Sequence, residues 1–154
     1  MVKFVVVYFS ATGKTRRMGE LLSKKLRCDS YEIKPQDEYS KEDLDWTNKN
    51  SRSTLEMKDK NSRPRIINDG FDFSKYHTIL LGFPIWWYTA PTIINTFLES
   101  IKIDGKTIIL WATSGGSGLG RSKYDLARST HAPIIDGKIL NSESAVESFI
   151  NELE

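Results

Sequence analysis

Three stretches of this chain carry residue types suited to holding a ligand. The first is Ser10-Ala11-Thr12-Gly13-Lys14-Thr15, a hydroxyl-rich loop that follows the apolar run Phe4-Val5-Val6-Val7-Tyr8-Phe9. An amphipathic helical pattern begins immediately after it, so the loop delivers its backbone onto a helix N-terminus. Unpaired N–H groups and the positive end of the helix dipole meet there and favour a phosphate. Ser10, Thr12 and Thr15 add hydroxyl donors, and Gly13 lets the backbone come close to a ligand. A plain turn, built from Ser, Thr and Gly for their turn chemistry, fits the same residues. Gly13-Lys14-Thr15 invites comparison with a nucleoside-triphosphate loop, but that loop needs another glycine where Tyr8 stands. The dinucleotide fingerprint G-x-G-x-x-G is absent, and no cysteine lies nearby to act as a phosphatase nucleophile. What remains is a loop for a phosphate monoester that is held rather than hydrolysed.

The second stretch, Pro84-Ile85-Trp86-Trp87-Tyr88, places three consecutive aromatics after a proline. Successive loop residues cannot all enter the core, so at least one is expected at the surface or against a planar ligand, where stacking adds about 1 kcal/mol beyond burial. Sealing the gap between sheet and helix is the competing role for two of them. The third stretch, Thr113-Ser114-Gly115-Gly116-Ser117, lacks bulk and offers backbone N–H and C=O groups to a flat polar edge; a flexible turn is its plainer reading. No paired carboxylates and no Ser/His or Cys/His arrangement stand in these loops, so no side chain is assigned as catalytic.

The elements that must position these loops are legible around them. Met18, Leu21, Leu22 and Leu26 mark one face of the first helix. Ser30–Lys34 reads as a short strand stopped by Pro35. From residue 35 to about 76 the chain is polar, a long excursion of the kind that is functional or flexible. Within it, 41–46 and roughly 54–58 are helical candidates, and Trp46 is expected to be a core anchor that pins the excursion down. Thr78–Phe83 and Thr107–Ala112 are clear strands. Between them a helix opens near Pro91, with Ile93, Ile94, Phe97, Leu98 and Ile101 on one face. A weak helix follows at 123–128, then a fifth strand broken around Asp136-Gly137. Asn141 or Ser142 caps a last helix carrying Val146, Phe149, Ile150 and Leu153. Continuous apolar strands alternating with helices predict an α/β fold, a doubly wound five-stranded parallel sheet covered on both faces. Ligands bind such sheets beyond the carboxyl ends of the strands. All three stretches follow strands, so they are expected to converge.

Composition narrows the classes. The 154 residues suit one domain, 1–154, with ordinary apolar (39%) and charged (27%) content. No apolar run is long enough to cross a bilayer, and no signal-peptide pattern precedes the first strand. One cysteine, Cys28, and two distant histidines give neither a disulfide framework nor a metal cluster. Cys28 is expected to be structural. The net charge of +2 is spread out with no basic tract, against nucleic-acid binding. A cytoplasmic location is expected.

A phosphate at one end and a flat heteroaromatic ring with a polar edge at the other describe flavin mononucleotide (FMN), with the ribityl chain near Thr12, Thr113 and Ser114. The chain resembles the flavodoxins over essentially its whole length. The resemblance is carried by Tyr8-Phe9-Ser10-Ala11-Thr12-Gly13, Asp45-Trp46-Thr47, Gly82-Phe83-Pro84-Ile85-Trp86-Trp87-Tyr88 and Thr113-Ser114-Gly115-Gly116-Ser117-Gly118, in this order. It implies the flavodoxin-like strand order 2-1-3-4-5, bound FMN, low-potential electron transfer, and redox partner proteins such as a flavodoxin reductase or an electron acceptor. It implies that Ser10, Ala11, Thr12, Gly13, Lys14 and Thr15 hold the phosphate. Pro84, Ile85, Trp86, Trp87, Tyr88, Thr113, Ser114, Gly115, Gly116 and Ser117 would border the isoalloxazine ring. A monomer or weak homodimer is expected. Two departures stand out: many flavodoxins are strongly acidic whereas this chain has a pI of about 8.6, and many carry an aromatic in the third loop where this chain has Gly-Gly-Ser. One ring face is therefore open, or covered by the 35–76 excursion through Trp46. An open face suits the alternative function, an FMN-dependent NAD(P)H:quinone oxidoreductase.

Overall fold

The computed structural model describes residues 3–153. In chain order the elements are β1 (Phe4–Phe9), α1 (Lys14–Leu26), β2 (Asp29–Ile33), α2 (Arg52–Lys58), β3 (Thr78–Pro84), α3 (Thr92–Ser100), β4 (Thr107–Thr113), α4 (Ser122–Leu126), β5 (Ile134–Ile139) and α5 (Glu143–Leu153). The sheet has the order β2-β1-β3-β4-β5, and every pairing is parallel.

Alternation along the strands sorts the core into two halves. Val5, Val7 and Phe9 on β1 and Ile79, Leu81 and Phe83 on β3 pack with Ile93, Ile94, Phe97 and Leu98 of α3. The intervening Val6, Tyr8 and Leu80 join Trp111 and meet Met18 and Leu22 of α1 and Val146 and Phe149 of α5. Both faces are therefore apolar, which is why these strands read as unbroken hydrophobic runs. The second half is built around Trp111. It lies opposite Gly82 in the register, where a Cβ would come within 2.1 Å of its ring, and its indole N–H donates to the Leu80 carbonyl at 3.0 Å.

Three expected features differ. Residues 41–46 form successive turns rather than a helix. Short polar side chains there bond the backbone locally, Ser40 Oγ accepting from the Asp43 amide at 3.1 Å and Asp45 Oδ1 from the Thr47 amide at 3.0 Å, which competes with helix formation. Trp46 is not a core anchor: it is 73% exposed. The excursion is pinned instead by Tyr39, whose ring meets Phe9 at 5.6 Å and Trp86 at 5.5 Å, and by the Phe71, Phe73 and Tyr76 rings. The second helical candidate forms as α2, capped by Ser51. The fifth strand is continuous, with a register irregularity between its Leu110 and Ala112 partners.

No helix among the described residues is long and apolar enough to cross a membrane. Those residues also hold no group of three or more His, Cys, Asp or Glu side chains able to bind a metal.

Candidate cofactor site

The parallel order brings the carboxyl ends of β1, β3 and β4 side by side, and the three ligand-type loops leave the sheet there. They are tied to one another. Thr15 Oγ1 and Thr113 Oγ1 lie 2.7 Å apart, joining the first loop to the third. The Ile85 amide donates to the Thr113 carbonyl at 2.9 Å, joining the second to the third. Beside them lies a cleft of about 760 Å³, lined by Thr12, Lys14, Pro84, Ile85, Trp86, Thr113, Ser114 and Gly115 of the three loops.

At the first loop, Gly13 takes a left-handed conformation (φ 97°) and precedes α1 without a side-chain cap. Its own amide donates to Ser10 Oγ at 3.0 Å, which leaves the Ser10 hydroxyl proton free to donate elsewhere. The amides of residues 14–16 find no acceptor among the described residues, and the first turn carries no acidic side chain. That combination is an anion site by both hydrogen bonding and dipole. Thr15 is 2% exposed and committed to Thr113, so the structure makes it a link between loops. On the same helix Arg16 pairs with Glu32 at 2.7 Å and Lys25 with Glu143 at 3.1 Å, whereas Lys14, Arg17 and Lys24 make no ion pair among the described residues.

The second loop divides its aromatics. Trp86 faces inward, edge-on to Phe9 at 5.8 Å and to Tyr39, and lines the cleft. The backbone then reverses, with Trp86 and Thr89 exchanging amide-to-carbonyl bonds of 3.0 and 3.1 Å. Trp87 (φ 49°) and Tyr88 (φ 65°) occupy the tip, and both are left-handed. Positive φ at both central positions is a type I′ turn, a conformation that normally selects Asn and Gly. Two large aromatics there are strained, and both point outward, away from the cleft lining.

Behind Trp86 the Tyr39 hydroxyl donates to Glu56 Oε1 at 2.5 Å while the Arg52 guanidinium lies 3.8 Å from the Tyr39 ring centre. Burial, followed by the Glu56 bond and charge, raises the Tyr39 pKa far above that of an ordinary phenol. Behind the cleft Tyr39 thus stays a protonated, hydrogen-bonded phenol.

In the third loop Ser114 gathers the turn, its Oγ accepting from the Ser117 amide at 2.9 Å and the Gly116 amide at 3.2 Å. Asn141 clamps the same residue: its Oδ1 accepts from the Ser114 amide at 3.1 Å and its Nδ2 donates to the Ser114 carbonyl at 2.8 Å. Asn141 is thereby occupied, and Ser142 caps α5, its Oγ accepting from the Ala145 amide at 3.2 Å. Gly115 lines the cleft; Gly116 and Ser117 stand outside its lining.

Sequence reasoning missed the residues that extend the cleft between α1 and α5: Arg17, Met18, Glu20, Leu21 and Lys24 on one side, and Leu140, Asn141, Ser142 and Glu143 on the other. The available signal was topological. The carboxyl end of β5 arrives at the same edge as the other strands, so the polar pair after Leu140 belonged with the three loops.

The comparisons agree with this geometry. Residues 3–154 match the Flavodoxin family. A candidate flavoprotein from Bacteroides eggerthii is 41% identical and superposes with a TM-score of 0.91, over 99% of this chain and 98% of that one. One from Bacteroides uniformis is 40% identical, with a TM-score of 0.88 over 97% and 98% of the two chains. A Lactobacillus acidophilus flavoprotein solved in complex with FMN shares the fold at 20% identity, with a TM-score of 0.76 over 97% and 99%. No curated protein matches the chain. Strand order, loop placement and the match over nearly the whole length agree, and the chain belongs to the flavodoxin family.

Proposed function

We propose that this chain binds FMN and serves as an electron carrier between redox proteins. The observation that carries the reading is the uncapped first turn of α1, free of acidic side chains, opening beside the cleft that Trp86 and the Ser114–Gly115 backbone line. The donors fit a phosphate. The amides of residues 14–16 and the hydroxyls of Ser10 and Thr12 would hold it, with Lys14 and Arg17 adding positive charge. Trp86 offers a rigid aromatic wall, braced by Phe9 and Tyr39. The Ser114–Gly115 backbone, fixed by Asn141, offers polar groups to the ring edge. Bound FMN supplies reversible one- and two-electron redox chemistry. The protein's part is to bind, orient and limit water; none of its side chains moves a proton in this scheme. The complex of the Lactobacillus flavoprotein with FMN supports the choice of cofactor.

Absorbance of the purified protein with FMN added, followed through stepwise anaerobic reduction, tests the reading. Flavin bands that pass through a one-electron-reduced stage are expected. Failure to bind FMN overturns the reading.

A second reading, an FMN-dependent NAD(P)H:quinone oxidoreductase, is favoured by one observation. Gly115 and Gly116 place no side chain over the third-loop side, and Trp46 does not line the cleft. Steady turnover of NADPH with a quinone, together with direct two-electron bleaching, would select it over the carrier.

A further inference from the structure

The outer side of the second loop carries a connected aromatic and cationic surface that the cofactor reading does not use. Trp87 is 43% exposed and Tyr88 71% exposed. The Arg121 amide donates to the Tyr88 carbonyl at 2.9 Å, and the Arg121 guanidinium lies 5.2 Å from the centre of the Tyr124 ring. Tyr124 is itself 69% exposed. These contacts make one surface of Trp87, Tyr88, Arg121 and Tyr124. A hollow of about 210 Å³ opens beside Trp87, with Lys60, Arg121 and Arg128 among its walls. The carboxylate at this hollow, Asp125, is turned inward: it accepts from Thr89 Oγ1 at 2.6 Å and lies 3.8 Å from Arg121. Lys60, Lys123 and Arg128 make no ion pair among the described residues.

Exposed Trp, Tyr and Arg are the residues that anchor protein interfaces. Here they stand among unneutralised cations, so the complementary surface must be acidic. Trp87 follows Trp86, which lines the cleft, so a partner seated on this surface sits directly beside it.

We propose that this surface docks an acidic redox protein, one of whose carboxylates enters the hollow beside Lys60 and Arg128. The proposal rests on the electron-carrier reading. It reverses the charge expected from acidic flavodoxins and fixes where the partner binds. One electron passes per encounter from the reduced partner to the bound flavin, oxidising the donor.

The test uses two probes of opposite surface charge, an acidic plant-type [2Fe–2S] ferredoxin and a basic cytochrome c. Docking is read first without redox chemistry, by titrating isotopically labelled protein with oxidised ferredoxin. Broadening of the Trp87 indole N–H and of the Tyr88 and Arg121 amides, reversed by added salt, is expected. Electron transfer from reduced ferredoxin to the FMN-loaded protein is then timed by stopped flow. The rate is expected to fall with salt, and to fall about tenfold at low salt in the Lys60→Glu/Arg128→Glu variant. Reduction of cytochrome c by the reduced protein shows the opposite trends. Broadening at this surface without electron transfer upholds the docking site and overturns the carrier reading. No broadening there, or rates that respond alike for both probes, overturns the docking proposal.

Discussion

Gly120, just beyond the third loop, packs against the Tyr88 carbonyl of the second, and its replacement by alanine has a calculable cost. Gly120 has φ 55°, and a Cβ built there would stand 2.1 Å from the Tyr88 carbonyl oxygen. The left-handed conformation alone costs an L-residue about 1–2 kcal/mol. Relieving the overlap requires moving the Tyr88 carbonyl, which accepts the Arg121 amide at 2.9 Å; losing that bond costs about 1 kcal/mol more. Gly120→Ala is therefore expected to destabilise by about 2–3 kcal/mol, lowering Tm by roughly 4–12 °C for a domain of this size. Two controls separate the contributions. Gly105 has φ 75° and open space around its would-be Cβ, so Gly105→Ala isolates the conformational cost; Gly118 has neither constraint and should be near neutral. Urea unfolding of the three variants is the assay. If Gly120→Ala is no worse than Gly105→Ala, the close approach of the loops does not hold and the derived position of Tyr88 is wrong.

Other outcomes follow from the same structure. Tyr88→Asn replaces a strained, 71% exposed aromatic by a residue that tolerates αL, and should raise stability by about 0.5–1 kcal/mol in denaturant titration while weakening any ferredoxin docking. Tyr39→Phe keeps the ring contacts with Phe9 and Trp86 but leaves the Glu56 carboxylate without its phenolic donor; calorimetry should show a loss of about 1–3 kcal/mol. Burial, helped by Glu32, pushes the Tyr8 pKa up to about 12 from 10.0, and burial with Asp69 pushes Tyr31 up to about 12. Raised folded pKa values stabilise the fold below pH 10 and lose that contribution as pH climbs from 10 to 12; unfolding monitored across that window should show falling stability. Burial pushes the Cys28 thiol up to about 11 from 9.0, so its alkylation by iodoacetamide near pH 8 should run about 100-fold slower in the native protein than in the unfolded chain.

Much of the sheet was legible because burial on both faces leaves a simple trace. Val5-Val6-Val7, Ile79-Leu80-Leu81 and Ile108-Ile109-Leu110 have no polar face to mark, as strands of a parallel sheet covered on both sides require. The convergence of the three loops followed from that topology. What stayed hidden was the assignment of aromatics. Trp46 and Tyr39 sit in the same polar excursion, and nothing local distinguishes them; Tyr39 is partly buried because Phe9, Trp86, Arg52 and Glu56 arrive from elsewhere in the chain. Direction within Trp86-Trp87-Tyr88 was equally hidden, since it depends on the reversal at Trp87–Tyr88, and these residues do not announce a type I′ turn. Asn141 read as one of two cap candidates because its partner, the Ser114 peptide, is distant in sequence.

These hidden features are the ones that make the loops a single unit. Thr15 bonds Thr113, Ile85 bonds the Thr113 carbonyl, Asn141 holds Ser114, and Arg121 holds Tyr88. Each bond is worth only about 1 kcal/mol, yet together they tie every loop to a neighbour, so loosening one leaves the others holding a displaced partner. Strain at Trp87 and Tyr88 persists because this network overdetermines their positions. The left-handed turn aims Trp87 and Tyr88 outward while keeping Trp86 in the wall. A relaxed turn would be more stable in isolation. It would also surrender the division of labour between the residue that lines the cleft and the residues beside it that meet solvent. Variants that relax the turn should therefore gain stability and lose partner binding together. A Tyr88→Asn protein that gained stability with undiminished ferredoxin docking would separate the strain from the surface it presents.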